Sequence, residues 1–149
     1  MKAKIITKVT ISSPSSEVFK YLTDLKYMHL WNPQVKEVSS KKVLELHSTY
    51  QTVSQVLGVV IKANNSVTKY SNDQELQIEN TTGTVNYVAN FKLTPTDNGT
   101  TLLICNTTVS SESKAFAFTA PVLKLLARRE LQSDLQALKI AVENQIPHA

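Results

Sequence analysis

Cysteine and glycine are scarce in this sequence, and each shortage excludes a class of site. The single cysteine, Cys105, allows no disulfide within the chain and no thiolate zinc cluster. The three glycines, Gly58, Gly83 and Gly99, lie too far apart for G-x-G-x-x-G or G-x-x-x-x-G-K-[ST], so dinucleotide and P-loop sites of those kinds are absent. Histidine is equally sparse. His29, His47 and His148 show no i, i+2 or i, i+4 pairing and no flanking carboxylates at ligand spacing, so neither a metal nor another cofactor is expected. No G-x-S-x-G elbow occurs among the serines, so nucleophilic catalysis has no support. Long apolar runs are missing too. The densest, Ala115 to Leu126, is too short to span a membrane and is broken by Thr119, Pro121 and Lys124. Met1-Lys2-Ala3-Lys4-Ile5 carries no apolar leader pattern, so a cytoplasmic protein is expected.

What is present suits one folded domain over residues 1–149. The chain is 42% hydrophobic and 19% charged, near the globular average, and a chain of this length buries roughly 68–70% of its unfolded surface. The net charge of +4 arises in the first half, where residues 1–75 carry ten lysines against six acids. Those lysines are scattered and are not interleaved with aromatics, so no nucleic-acid partner is expected.

Ala3 to Ile11 alternates apolar and polar residues, the pattern of a half-buried strand. Ser13 as N-cap and Pro14 at the first helical position predict a short helix to Leu22. Thr23-Asp24 offers a second cap, and Leu25, Met28 and Trp31 line a second short helix that Asn32-Pro33 closes. Strands are then expected at Val35–Ser40, Leu44–Val56, Val59–Tyr70, Glu75–Asn80, Thr84–Leu93 and Thr100–Val109, separated by turns rich in Asn, Asp, Gly and Ser. Connections this short force antiparallel neighbours. From Pro121 to Asn144 the period changes: Leu123, Ala127, Leu131, Leu135, Leu138 and Val142 form the stripe of a long amphipathic helix.

The order predicts an α+β fold: a curved antiparallel sheet of about seven strands wrapped around the long C-terminal helix, with two short helices after the first strand. One helical stripe cannot fill the concavity of such a sheet, so a cavity between sheet and helix is expected. The stretch "VTISSPSSEVFKYLTDLKYMHLWNPQVKEV" (Val9–Val38) resembles the N-terminal signature of the START/Bet v-type helix-grip superfamily, called SRPBCC. The likeness is greatest to the polyketide cyclase/dehydrase-like branch. It rests on a strand ending in Ser-Pro, a helix with Val-Phe, a Thr-Asp break and Trp-x-Pro before the next strand. "GTTLLICNTTVSS" and "LARRELQSDLQALKIAVEN" fit the last strand and last helix of that family. The glycine-rich loop of the plant pathogenesis-related branch is lacking. The resemblance implies a cavity for lipids, sterols, quinones, polyketides or plant hormones, with cyclisation or dehydration in some members.

Within that frame Trp31, Val85, Tyr87, Ala89, Phe91, Leu123 and Ala127 are the expected cavity wall. Trp31 also reads as a packing anchor, and Tyr50 and Tyr70 lie on neighbouring strands. His29 and Tyr87 are the candidate acid–base groups, while Cys105 reads as a buried structural thiol. Arg128 and Arg129 read as a solvated pair. Ser111–Phe118 and the tip Val56-Leu57-Gly58-Val59 are candidate cavity-mouth segments. Three functions stay open at this point: a binder or carrier of a small hydrophobic ligand (lipid, quinone or polyketide-like), a cyclase/dehydrase-like enzyme, and a protein that contacts a larger assembly.

Overall fold

Alternation of buried and exposed side chains runs without a break through the first strand, β1 (Lys2–Ile11). The computed structural model describes residues 2–56, 58–83, 85–111 and 120–144. After β1 come α1 (Ser15–Thr23), a 3-10 turn (Leu25–Tyr27) and α2 (Met28–Trp31). Six strands follow: β2 (Val35–Val38), β3 (Thr49–Val56), β4 (Val59–Ser71), β5 (Glu75–Asn80), β6 (Val85–Thr96) and β7 (Thr100–Ser111). The long helix α3 (Ala120–Glu143) ends the described chain. The sheet order is β1-β7-β6-β5-β4-β3-β2, every pair antiparallel, and the curved sheet grips α3 as expected.

Two expectations change in detail. Ser13 does not cap α1: Pro14 is the N-cap residue, without a side-chain cap bond, and the Ser13 carbonyl accepts from Thr101 Oγ1 at 2.8 Å. Asp24 does cap the 3-10 turn, accepting from the Lys26 amide at 3.2 Å. The strand expected from Leu44 begins only at Thr49. Leu44 is pulled under α1 instead, its amide donating to the Thr23 carbonyl at 2.7 Å, and it is fully buried there. The chain then reverses at His47, whose left-handed φ of 69° no strand can hold, so His47 sits exposed in a turn. Thr84, Leu57, Ser111–Phe118 beyond Ser111 itself, and His148 lie outside the described residues, as does the Leu123 side chain.

The strand registers place side chains in rows across the concave face. Ala3, Val109, Tyr87, Asn80, Asn65 and Tyr50 form one row. Ile5, Thr107, Ala89, Ile78 and Val67 form the next. Thr7, Cys105, Phe91 and Leu76 form a third. On β7 the concave face is therefore that of Leu103, Cys105 and Thr107, all buried. Leu135, Leu138, Ala141 and Val142 of α3 pack onto the deep end of this face in one core with Val9, Ile11 and Leu103. The polar flank of α3 covers the free edge of β1: Gln132 Nε2 donates to the Lys8 carbonyl at 3.0 Å and Lys139 Nζ to the Thr10 carbonyl at 2.8 Å.

Candidate ligand-binding cavity

The core fills the deep end of the concavity and leaves a hollow of about 260 Å³ towards α2 and β2. It arises where the middle row of the sheet carries the small side chains of Ala89 and Thr107, and α3 presents Ala127 opposite. Ile78, Val85, Phe91, Val109, Leu131 and Leu135 supply apolar wall. Trp31 closes one side. Its indole Nε1 donates to the Tyr21 carbonyl at 3.1 Å, and its ring meets Phe91 edge-on with centroids 6.1 Å apart. Trp31 is thus both anchor and wall.

The polar groups of the wall fall into two sets. On the sheet, the Tyr87 hydroxyl donates to Asn65 Oδ1, while Asn65 Nδ2 donates to Thr52 Oγ1 at 3.0 Å and to the Tyr50 carbonyl at 3.3 Å. Burial pushes the Tyr87 phenol up to about 12, a bond with Thr52 opposing, and burial raises Tyr50 further. Both remain phenols at neutral pH and serve as hydrogen-bonding groups. Asn80 holds this end of the sheet in shape. It is fully buried, donates to the carbonyls of Thr82 and Val85 at 3.0 and 2.9 Å, and accepts from the Asn64 and Thr82 amides at 3.2 Å.

The second set lies on α3 and the chain before β2. Asp134 is 8% exposed and lines the hollow with Glu130 and Gln34. Gln34 Nε2 donates to Glu130 Oε2 at 3.1 Å, and Gln34 Oε1 has no hydrogen-bond partner among the described residues. Burial pushes the Asp134 carboxyl up to about 7, Glu130 adds to the rise, and Gln34 opposes it. Asp134 is therefore the wall group that exchanges a proton near neutral pH. Cys105, beside Thr107 at 3.4 Å, is raised by burial to about 11, the hydroxyls of Thr107 and Thr7 opposing, and stays a thiol.

Of the residues expected at the wall, the structure brings Trp31, Val85, Tyr87, Ala89, Phe91 and Ala127 together around the hollow. Tyr50 joins them, whereas Tyr70 packs against Phe19 with ring centroids 5.3 Å apart. His29 is not at the hollow. It is exposed on α2, in a separate cleft on the outer side, and the titratable side chains that line the hollow include Asp134 instead. Arg128 and Arg129 are exposed. Asp134 was visible in principle, three residues after Leu131 and four before Leu138, on the apolar stripe itself. Among the described residues no group of three or more His, Cys, Asp or Glu side chains could hold a metal ion, and no helix is long and apolar enough to cross a membrane.

Comparison with known proteins agrees with this architecture. Among solved structures, the protein TTHA0849 from Thermus thermophilus superposes with a TM-score of 0.83 at 13% identity, covering 97% of this chain and 100% of that one. The Zhui aromatase/cyclase from Streptomyces sp. R1128 gives 0.82 at 14% identity, covering 99% and 97%. A START superfamily protein from Mycobacterium smegmatis gives 0.78 at 16% identity, covering 95% and 98%. At such identities the likeness is one of fold. No curated protein matches the sequence. A family model described as polyketide cyclase / dehydrase and lipid transport matches residues 2–143, and the chain belongs to that family.

Proposed function

We propose that the chain, as one cytoplasmic domain over residues 1–149, binds a small hydrophobic ligand (lipid, quinone or polyketide-like) in the hollow between sheet and α3. One observation carries this reading: a largely apolar wall interrupted by two small convergent polar sets, the pattern of a site that binds by burial and orients by a few hydrogen bonds. Each Å² of apolar ligand surface buried contributes about 25 cal/mol. With its own proton held by Asn65, the Tyr87 oxygen would accept from a ligand hydroxyl and orient it. Nucleic acid is no partner in this reading.

Native mass spectrometry of the purified protein, followed by unfolding and identification of released small molecules, names the ligand class. The environment-sensitive fluorophore 1-aminoanthracene reports the hollow directly. Wild-type protein is expected to bind it and Ala89→Leu to bind it much less. Equal binding by both would overturn the assignment of this hollow.

Asp134 favours a second reading, a cyclase/dehydrase-like enzyme. A carboxyl titrating near neutrality in an apolar cavity can take a proton from one carbon or oxygen and return it to another, a role worth about 10²–10⁴-fold in rate. Asp134→Asn that keeps 1-aminoanthracene binding but loses turnover of a poly-β-ketone substrate would support catalysis. Unchanged turnover would remove Asp134 from it.

A further inference from the structure

A second hollow, of about 440 Å³, opens on the outer side of the 3-10 turn, α2 and β2. Its charged and titratable members are Lys26, His29, Lys36, Lys41 and a single carboxylate, Glu37. Met28 and Val35 line both this cleft and the inner cavity, so these two side chains form the partition between them.

We propose that cleft and cavity are one site for a single-chain amphiphile with a carboxylate head. The head lies in the outer cleft among Lys26, Lys36 and Lys41, and the tail passes between Met28 and Val35 into the cavity. This assignment rests on the reading of the cavity as an apolar ligand site and adds the class of ligand and its orientation.

Charge fixes which end faces outwards. Lys26 is already offset by Asp24, whose carboxylate stands 3.3 Å from its ammonium, and Glu37 offsets one more lysine. One positive charge is left for the ligand, which matches a carboxylate and not a doubly charged phosphate. On the inner side the wall carries Glu130 and Asp134 next to Gln34, so an anionic head is repelled from the cavity while an uncharged tail is not.

The partition is built to yield. α2 and β2 have four residues each, β2 is an edge strand, and its pairing with β3 breaks register between Val35 and Glu37. Methionine is the most adaptable apolar side chain, so Met28 can shift aside at small cost. The size of the cavity sets the tail. At ~30 Å³ per water-sized group, 260 Å³ holds about nine, so chains of roughly eight to ten carbons fit.

Calorimetric titration at pH 8 and low salt with decanoate, decanol and decyl phosphate tests the assignment, with 1-aminoanthracene as the reporter of the cavity itself. Wild-type protein is expected to bind decanoate about tenfold more tightly than decanol, and added salt to erode the difference. Replacing both Lys36→Gln and Lys41→Gln, at exposed positions, is expected to bring decanoate to the level of decanol and leave decanol unchanged. Decanoate is also expected to shift the NMR signals of His29 and Lys36. Equal affinity for decanoate and decanol, or lysine variants that leave decanoate binding intact, would overturn the head-group assignment while the cavity reading stands. Tighter binding of decyl phosphate than decanoate would overturn the carboxylate head. If 1-aminoanthracene binds and neither ten-carbon chain does, the amphiphile is wrong and the cavity is right. If nothing binds, both fail together.

Discussion

Asp134 sits where the chain's need for a close-packed helix–sheet interface meets the needs of its site. It is buried on a helix face otherwise occupied by Leu131, Leu135 and Leu138, and its carboxyl titrates near 7 against about 4 in an unfolded chain. Between those values the folded protein holds the proton more tightly than the unfolded one. The stabilisation is complete below about pH 4 and is lost as pH rises through about 7. Three units correspond to no more than about 4 kcal/mol. Glu143 acts in the opposite sense, its pKa lowered by Lys139 and by the Ser12 amide, but at an exposed helix end where the effect is small. Cys105 and Tyr87 are also raised by burial and titrate well above this window. Urea unfolding at pH 5 and pH 8 is therefore expected to show wild-type protein less stable at pH 8 by about 1 kcal/mol or more, on the scale of about 1.4 kcal/mol per pH unit. Asp134→Asn should flatten most of that difference. A variant with an unchanged pH slope would mean that the carboxyl is solvated in the folded state.

Among the elements, α3 contributes Leu135, Leu138, Ala141 and Val142 to the core at the deep end of the sheet. Leu138 is fully buried there, whereas Ile140, two residues on, is 52% exposed. Leu138→Ala is expected to cost about 2–5 kcal/mol and Ile140→Lys no more than about 0.5 kcal/mol, measured by urea unfolding. Similar losses from both would mean that the helix is rotated about its axis. The face of α3 was legible in the sequence because a 3.6-residue period marks its stripe, and β1 and β6 because a two-residue period marks theirs. The segment from Leu44 to Val56 departs from its pattern for a physical reason. Leu44 and Tyr50 fit one alternating pattern, but a left-handed residue at His47 and a bond from the Leu44 amide to the Thr23 carbonyl break it. Those are tertiary facts. The candidate site divides in the same way. Tyr87, Ala89 and Phe91 share one face by alternation, and the expected helix-grip fold made that face, with Trp31, the candidate wall. Asn65 and Gln34 could not be placed there, because polar side chains on a strand and a turn ordinarily face water, whereas Asp134 stood out only by its place on the apolar stripe between Leu131 and Leu138. Only the closing of α3 over the sheet brings them to a common hollow.

In the whole molecule the hollow is a gap between side chains of an otherwise continuous core, and such gaps are a stability cost in proteins generally. Seven strands curve around one helix. The helix touches the sheet along a line, deep at the Leu138 end and shallow at the Ala127 end, so the gap follows from the geometry of the fold and from small residues set where it is widest. Filling it should exchange function for stability. Ala89→Leu places three further carbons in the middle of the wall, between Thr107 and Ile78 in the row, where the open hollow can take them without displacing the neighbours. Burial of that added surface is expected to stabilise the free protein by about 0.5–2 kcal/mol. For a chain of this length that amounts to a rise in Tm of about 2–6 °C. A bound ligand stabilises wild-type protein in proportion to the logarithm of its concentration over Kd, so wild type should show a ligand-dependent Tm and the variant should not. Thermal scans of both proteins with and without 1-aminoanthracene separate the possibilities. A higher Tm without a ligand shift is the expected result. A lower Tm with the ligand shift retained would mean that Ala89 is close-packed and that the ligand lies elsewhere.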